Sequence, residues 1–449
     1  MFDEKKYKTK TYVHFDHRVN INTVKSYVTD REKISVHSFL PLIQYNISFD
    51  KFNQTKYINK EPDFLDTKIR DIKYAGHLDN HIYKYYSEMI QNDFYNKWCV
   101  ENGLDNCILA YRNNKNGKSN INFAAEVISN IVNMDEAYIL VGDFTTYFDN
   151  ISHSQLKKYI QELLEVERLP ADWFNIFQSV TKFGYFEKDL LDVIFGNTKD
   201  LKRKGQSSYF TQLSEFRKFK KQNKEKLHSN KTGIGIPQGT AISATFANIY
   251  ALNFDRDVNE IASLYKGIYR RYSDDFILIF PKKSFPNIEA FFRVENKIRT
   301  IANEEKIEIQ ESKTCKFEYS NETMYNLDES KKDHLDYLGF IFDGKSVQLR
   351  GKGTYKFYRK AKKLILKAKK TKEKKDLEVL PYRKAIYQLY TDLGIRDGHG
   401  NYISYAIRSQ KIFDEISPKT KNLMMNQMKH RKKFIEKKLG VRLNFKVYK

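Results

Sequence analysis

Residues 270–280 read RRYSDDFILIF, and no other stretch restricts the fold of this chain so tightly. The five apolar residues Phe276–Phe280 demand burial, whereas Asp274 and Asp275 immediately before them demand water, a partner or a cation. A hairpin reconciles the two demands. IYRRY (268–272) forms one arm, FILIF the other, and the acidic pair sits at the tip, on the rim of a core. Asp is also a common turn residue, so the pair alone fits ordinary turn chemistry.

A second stretch changes that reading. AYILVGDF (137–144) is a buried-strand pattern that ends on a carboxylate, Asp143. Asn150 or Ser152 can cap the helix that follows, which leaves Asp143 without a structural task. Three carboxylates on neighbouring strands disfavour one another unless a cation neutralises them. Mg²⁺ takes a few hard oxygen ligands and completes its shell with substrate phosphates. Two such ions can activate a primer hydroxyl and stabilise a leaving pyrophosphate. Nucleotidyl transfer therefore supplies a reason for a cluster that turn chemistry leaves unexplained.

The formal net charge of +23 agrees with a polyanionic partner. Hydrophobic content of 41% argues for a folded protein, and three scattered cysteines are too few for a disulfide framework or a Cys-rich zinc site. No run of 18 apolar residues occurs, and MFDEKKYKTK carries no apolar leader, so the expectation is a cytoplasmic protein with no membrane partner. Periodicity predicts a strand in SFLPLIQYNI (38–47), a helix over 75–103, a strand in ILAYR (108–112) and a helix over 123–134. It also predicts a helix over 156–167, a turn-to-helix unit over 235–255, a helix near 287–304 and strands at 307–319 and YLGFIF (337–342). Residues 186–231 read as a polar insert, either a disordered loop or a surface for RNA or a neighbouring subunit. From Arg350 to Asp376 the chain carries 13 Lys/Arg against 2 Asp/Glu, with Leu364, Ile365, Ala368 and Leu377 at helical spacing. One sign of charge along a helix suits phosphate backbones.

The order of these segments resembles the palm of reverse transcriptases: Asp143 with Phe148, IPQG (236–239), YSDD (272–275), a Lys-Thr pair and YLGF (337–340). The resemblance implies an α+β right-hand polymerase fold, with fingers and palm formed by an antiparallel sheet flanked by helices and a helical basic thumb. The expected divisions are an N-terminal extension at 1–74, fingers and palm at 75–345, and the thumb and C-terminal region at 346–449. It further implies RNA-directed DNA synthesis with two Mg²⁺ ions, or Mn²⁺ in their place. Asp143, Asp274 and Asp275 match the metal-binding acids, and Phe144 would offer its backbone carbonyl. Phe148 matches the aromatic gate that excludes a 2′-hydroxyl, and Gln238 and Gly239 match the nucleotide-facing element. Lys313 resembles the lysine that protonates departing pyrophosphate, and Arg112 with Lys118 resembles a triphosphate clamp. Tyr337, Leu338 and Gly339 fall in a primer-grip pattern, while Lys356, Arg359, Lys360 and Lys363 would track nucleic acid along the thumb.

Within the family, AGHLDNHIYKYYS (75–87), LAYRNNKNGKSNINFAAEV (109–127), GDFTTYFDNISH (142–153), YRRYSDDFILIFP (269–281) and GNYISYAIRSQKIF (400–413) resemble the bacterial defence-associated, abortive-infection group. That group implies antiphage defence, a cognate noncoding RNA as template, a DNA product made from dNTPs, and a homo-oligomer or partner reverse transcriptase. Some members prime on protein, and Tyr448 is a candidate hydroxyl. A retron or group II intron-like enzyme and a non-catalytic RNA-binding scaffold are the alternatives.

Overall fold

The computed structural model describes residues 3–52, 65–115, 117–390 and 401–442; Tyr448 lies outside them. The centre is a six-stranded sheet built from β3 (Ala137–Asp143), β6 (Ile268–Tyr272), β7 (Asp275–Pro281), β8 (Cys315–Ser320), β9 (Thr323–Asn326) and β10 (Lys331–Lys332). Its order is β10-β9-β8-β3-β7-β6. Both faces are covered, which explains the uninterrupted apolar runs. Along β3 and β7, Tyr138, Leu140, Phe276, Leu278 and Phe280 enter one core, and Ile139, Ile277 and Ile279 enter the other. That period of two fixes the register, because a slip of one residue would exchange the faces. Gly142 is required where it stands: a Cβ there would lie 2.2 Å from Phe276.

A second sheet carries the fingers, in the order β2-β1-β4-β5, from β1 (Leu42–Phe52), β2 (Leu65–Tyr74), β4 (Gly184–Glu187) and β5 (His228–Ser229). β1 pairs antiparallel with β2 and parallel with β4. Leu42–Phe52 and Leu65–Tyr74, placed by the sequence in an N-terminal extension at 1–74, thus share a sheet with β4 and β5. The polar insert is not a disordered loop. Helices Lys188–Phe195, Thr198–Arg203 and Leu213–Gln222 close over a small core that includes Phe15, Ile43, Phe186, Leu191, Phe216 and Phe219.

The third sheet, β11 (Leu335–Tyr337), β12 (Phe340–Phe342), β13 (Ser346–Leu349) and β14 (Lys421–Asn422), joins the palm to the C-terminal helices. YLGFIF, expected as one strand, is a hairpin, because Leu338 and Gly339 both adopt positive φ, 47° and 96°. The helix Gly351–Lys374 buries Phe357, Ala361, Ile365 and Ala368 on one side. Lys356, Lys360, Lys363, Lys367, Lys370 and Lys374 recur at intervals of four and three, and all are exposed. Among the described residues no helix is long and apolar enough to cross a membrane.

Candidate active site

Strand pairing alone brings the carboxylates together. Asp143 of β3 stands opposite Asp275 of β7, and the Phe144 N–H donates to the Asp274 carbonyl at 3.0 Å. Asp143 and Asp274 line an open cleft, whereas Asp275 lies behind its wall against Asp143. Burial, then the charge of Asp274 and the contact with Asp143, push the Asp275 carboxyl up to about 7. Lys313 Nζ donates to Asp143 Oδ1 at 2.6 Å, so an ammonium already sits against the acidic cluster.

The turn that carries Asp274 is held from below by a buried ion pair. Arg271 and Asp255 are both fully enclosed, and the guanidinium grips both carboxylate oxygens at 2.7 and 2.6 Å. Its remaining terminal nitrogen donates to the Ser273 carbonyl at 2.9 Å and to Asn248 Oδ1 at 3.2 Å. Tyr269 adds a hydroxyl donation to Asp255 at 2.7 Å. Burying two charges is costly unless their hydrogen bonds are satisfied. Here the donor left over fastens the catalytic turn, where Ser273 adopts φ 64°. ILAYR, expected as a strand, makes only an isolated bridge from Ile108 to Arg271, outside the sheet.

The cleft is walled by Phe148, by Gln238–Thr240 and by Lys68–Ile72 of β2. The Phe148 ring is half-buried, and its carbonyl accepts from the Ile236 N–H at 2.9 Å. The Lys73 N–H donates to the Gln238 carbonyl at 2.7 Å, which docks the fingers on the palm. Gly239 makes that approach feasible: at φ 115°, a Cβ would stand 2.6 Å from the Lys73 carbonyl oxygen.

With the acids, the ring and the glutamine around one cleft, comparison with known families is informative. The model for reverse transcriptases (RNA-dependent DNA polymerases) matches residues 78–342, more than half of the chain. The chain belongs to the reverse transcriptase family. No curated protein matches it. Among solved structures, telomerase from Candida albicans in complex with a fragment of telomeric RNA is similar at 12% identity and TM-score 0.41, over 93% of this chain and 66% of that one. Apo telomerase from Candida tropicalis is similar at 11% identity and TM-score 0.40, over 94% and 64%. A form of the latter truncated from its C-terminal domain is similar at 11% and 0.36, over 73% and 59%. This chain thus spans less than two thirds of those lengths.

In this reverse transcriptase the two residues expected as a clamp do not line the cleft. Arg112 is buried and committed to structure: it donates to Asp105 Oδ1 at 2.7 Å, to the Asp105 carbonyl at 3.1 Å and to Asn96 Oδ1 at 2.9 and 3.0 Å. Lys118 pairs with Glu126 at 2.6 Å, and neither residue lines the cleft. Among the described residues, the cations on the cleft wall are Lys68, Arg70 and Lys313. Tyr111, the neighbour of Arg112, reaches the cleft in its place, held at φ 60°. Alternation in LDTKIRDIKY (65–74) was the available signal for Lys68 and Arg70. Tyr337 is a further correction: its side chain is buried in the second core and cannot meet nucleic acid, which leaves Leu338 and Gly339 at the hairpin tip. Lys356, Lys360 and Lys363 are exposed on the thumb helix and Arg359 is half-buried.

Reverse transcriptases generally work with divalent metal ions. Among the described residues, no three His, Cys, Asp or Glu side chains form a ready-made cage. The donor set nevertheless fits a hard cation that needs few protein ligands. Asp143 and Asp274 present carboxylate oxygens to the cleft, Phe144 lines its floor, and the charge that Asp275 cannot comfortably carry marks a cluster short of positive charge.

Proposed function

We propose that this chain is an RNA-templated DNA polymerase that uses two Mg²⁺ ions, or Mn²⁺ in their place. The single observation that carries the reading is one cleft shared by Asp143, Asp274, Phe148 and Gln238. Asp143, Asp274 and the Phe144 carbonyl are the groups that would hold metal. Bound there, divalent ions supply Lewis-acid activation of a primer 3′-hydroxyl and charge neutralisation at the leaving pyrophosphate. Phe148 excludes a 2′-hydroxyl beneath the sugar, Lys68 and Arg70 bind phosphate oxygens, and Lys313 holds a proton close to the leaving group. Replacing Asp274 and Asp275 together by Ala should reduce dNTP incorporation on a primed RNA to background while filter binding retains the RNA. Incorporation that persists would sink the assignment.

The same proposal extends to biology. Five sequence blocks resembling the abortive-infection group support a bacterial cytoplasmic enzyme that copies a cognate noncoding RNA in antiphage defence, as a homo-oligomer or beside a partner reverse transcriptase. Sequencing the RNA and DNA that copurify tests this: one dominant noncoding RNA with matching cDNA is expected, and bulk cellular RNA would count against it.

A further inference from the structure

The folded insert builds a surface that the catalytic cleft does not use. Between Lys188 and Lys231 it carries 12 Lys/Arg against 5 Asp/Glu, and it continues the fingers sheet through β4 and β5. Alternation along β4 sends Phe186 into the insert core, fully buried, and turns Tyr185 to the other side. The half-buried Tyr185 ring stacks on exposed His228 of β5, with centroids 4.9 Å apart and planes at 20°. Phe183, also half-buried, lies 6.2 Å from Tyr185. Lys73 Nζ stands 5.0 Å from the Tyr185 centroid and 5.5 Å from that of Phe183. Gln44, paired with Lys73 across the ladder, has a buried Oε1 with no hydrogen-bond partner among the described residues. Glu187 lies 3.7 Å from His228 and is the acid beside the row.

The position of the row matters as much as its chemistry. Lys73 directly follows the cleft wall Lys68–Ile72, and its N–H is the one bonded to the Gln238 carbonyl. The rings therefore begin where the Gln238 side of the cleft ends.

We propose that Phe183, Tyr185 and His228, with Lys73, form a stacking platform for the single-stranded RNA template ahead of the cleft. The proposal rests on the polymerase reading above and names where the uncopied strand lies. A row of rings beside a cation, on a basic lobe, is what sequence-tolerant single-strand binding needs. A duplex is a poorer fit because its bases already stack on one another, whereas the lobe's charge suits the phosphates of either form.

The test uses the full chain and a fluorescein-labelled RNA annealed to a DNA primer, with a 5′ overhang of either one nucleotide or about eight. Anisotropy without nucleotides should show tighter binding of the longer overhang. Tyr185→Ala and the more conservative His228→Ala should each remove at least about fivefold of that gain. Affinity for the short overhang, and single-nucleotide addition on it, should remain unchanged. Three results would overturn the platform: no gain from the overhang in the parent chain, a gain that survives both substitutions, or an equal loss on both substrates. A chain that binds the long overhang through these rings yet adds no dNTP fails as a polymerase while the platform stands.

Discussion

The catalytic turn and the fingers wall face one another across a single cleft, but opposite means hold them. The turn rests on Arg271 and Asp255, charges buried at zero exposure that exchange two short hydrogen bonds and send a third to Ser273. The fingers wall is a pair of strands, β1 and β2, docked on the palm by the Lys73–Gln238 main-chain bond over Gly239. On the palm side, side-chain chemistry specifies geometry. On the fingers side, backbone complementarity does, and side chains such as Lys68 and Arg70 are left to meet a ligand.

Substitutions can break that contrast, and the palm should respond most. Asp255→Ala strands a buried guanidinium and should cost about 3–5 kcal/mol in urea unfolding, together with most activity. An Asp255→Leu, Arg271→Met double variant should regain stability and not turnover, since the Ser273 tether would still be missing. Recovery of both would show that the pair serves stability alone.

The fingers should behave in reverse. Lys68→Ala with Arg70→Ala should raise the dNTP KM about tenfold while stability stays within about 0.5 kcal/mol. Arg112→Met should lose about 3 kcal/mol of stability and leave KM alone. Steady-state kinetics beside denaturation curves separate these, and a KM effect at Arg112 would restore it as the clamp. Between the two walls, Phe148→Ala should raise rNTP use relative to dNTP about tenfold; an unchanged ratio would assign sugar choice to another side chain.

The last effect is one of pH, at the entry of the helix His77–Ile90. Asp16 accepts from the N–H groups of His77 and Leu78 at the entry of the helix His77–Ile90, at 2.9 and 3.0 Å. Burial acts to raise its carboxyl, but the His14 ring and these N–H groups outweigh it and bring the group from 3.8 to about 2. A depressed carboxylate contributes stability that is complete above its unfolded value and fades as pH falls towards the folded one. About 2 kcal/mol should therefore vanish between pH ~4 and pH ~2, and Asp16→Asn should flatten that slope in acid-unfolding curves.

Much of the palm was legible in the sequence because its information is local. Asp143 ends one apolar run and Asp274–Asp275 stand immediately before another, so strand period and hairpin chemistry place them. Arg112 misled because a fork suited to phosphate is equally suited to a buried carboxylate, and only its surroundings distinguish the two. Lys68 and Arg70 escaped notice because β2 precedes the recognisable motifs and reaches the cleft through long-range docking. The insert was unreadable for a related reason: Phe15 and Ile43, from far upstream, complete its core.

The sequence by itself determined the acids, the aromatic beside them, the sheet that presents them and the basic helix beyond, since each follows from residue order and periodicity within a short window. Only the tertiary structure decided which cations face the cleft, that Arg271 spends its spare donor on the catalytic turn, and that a polar insert becomes an aromatic-lined edge. Those depend on which distant segments exclude water from one another, and burial is a property of the assembled fold rather than of any stretch within it.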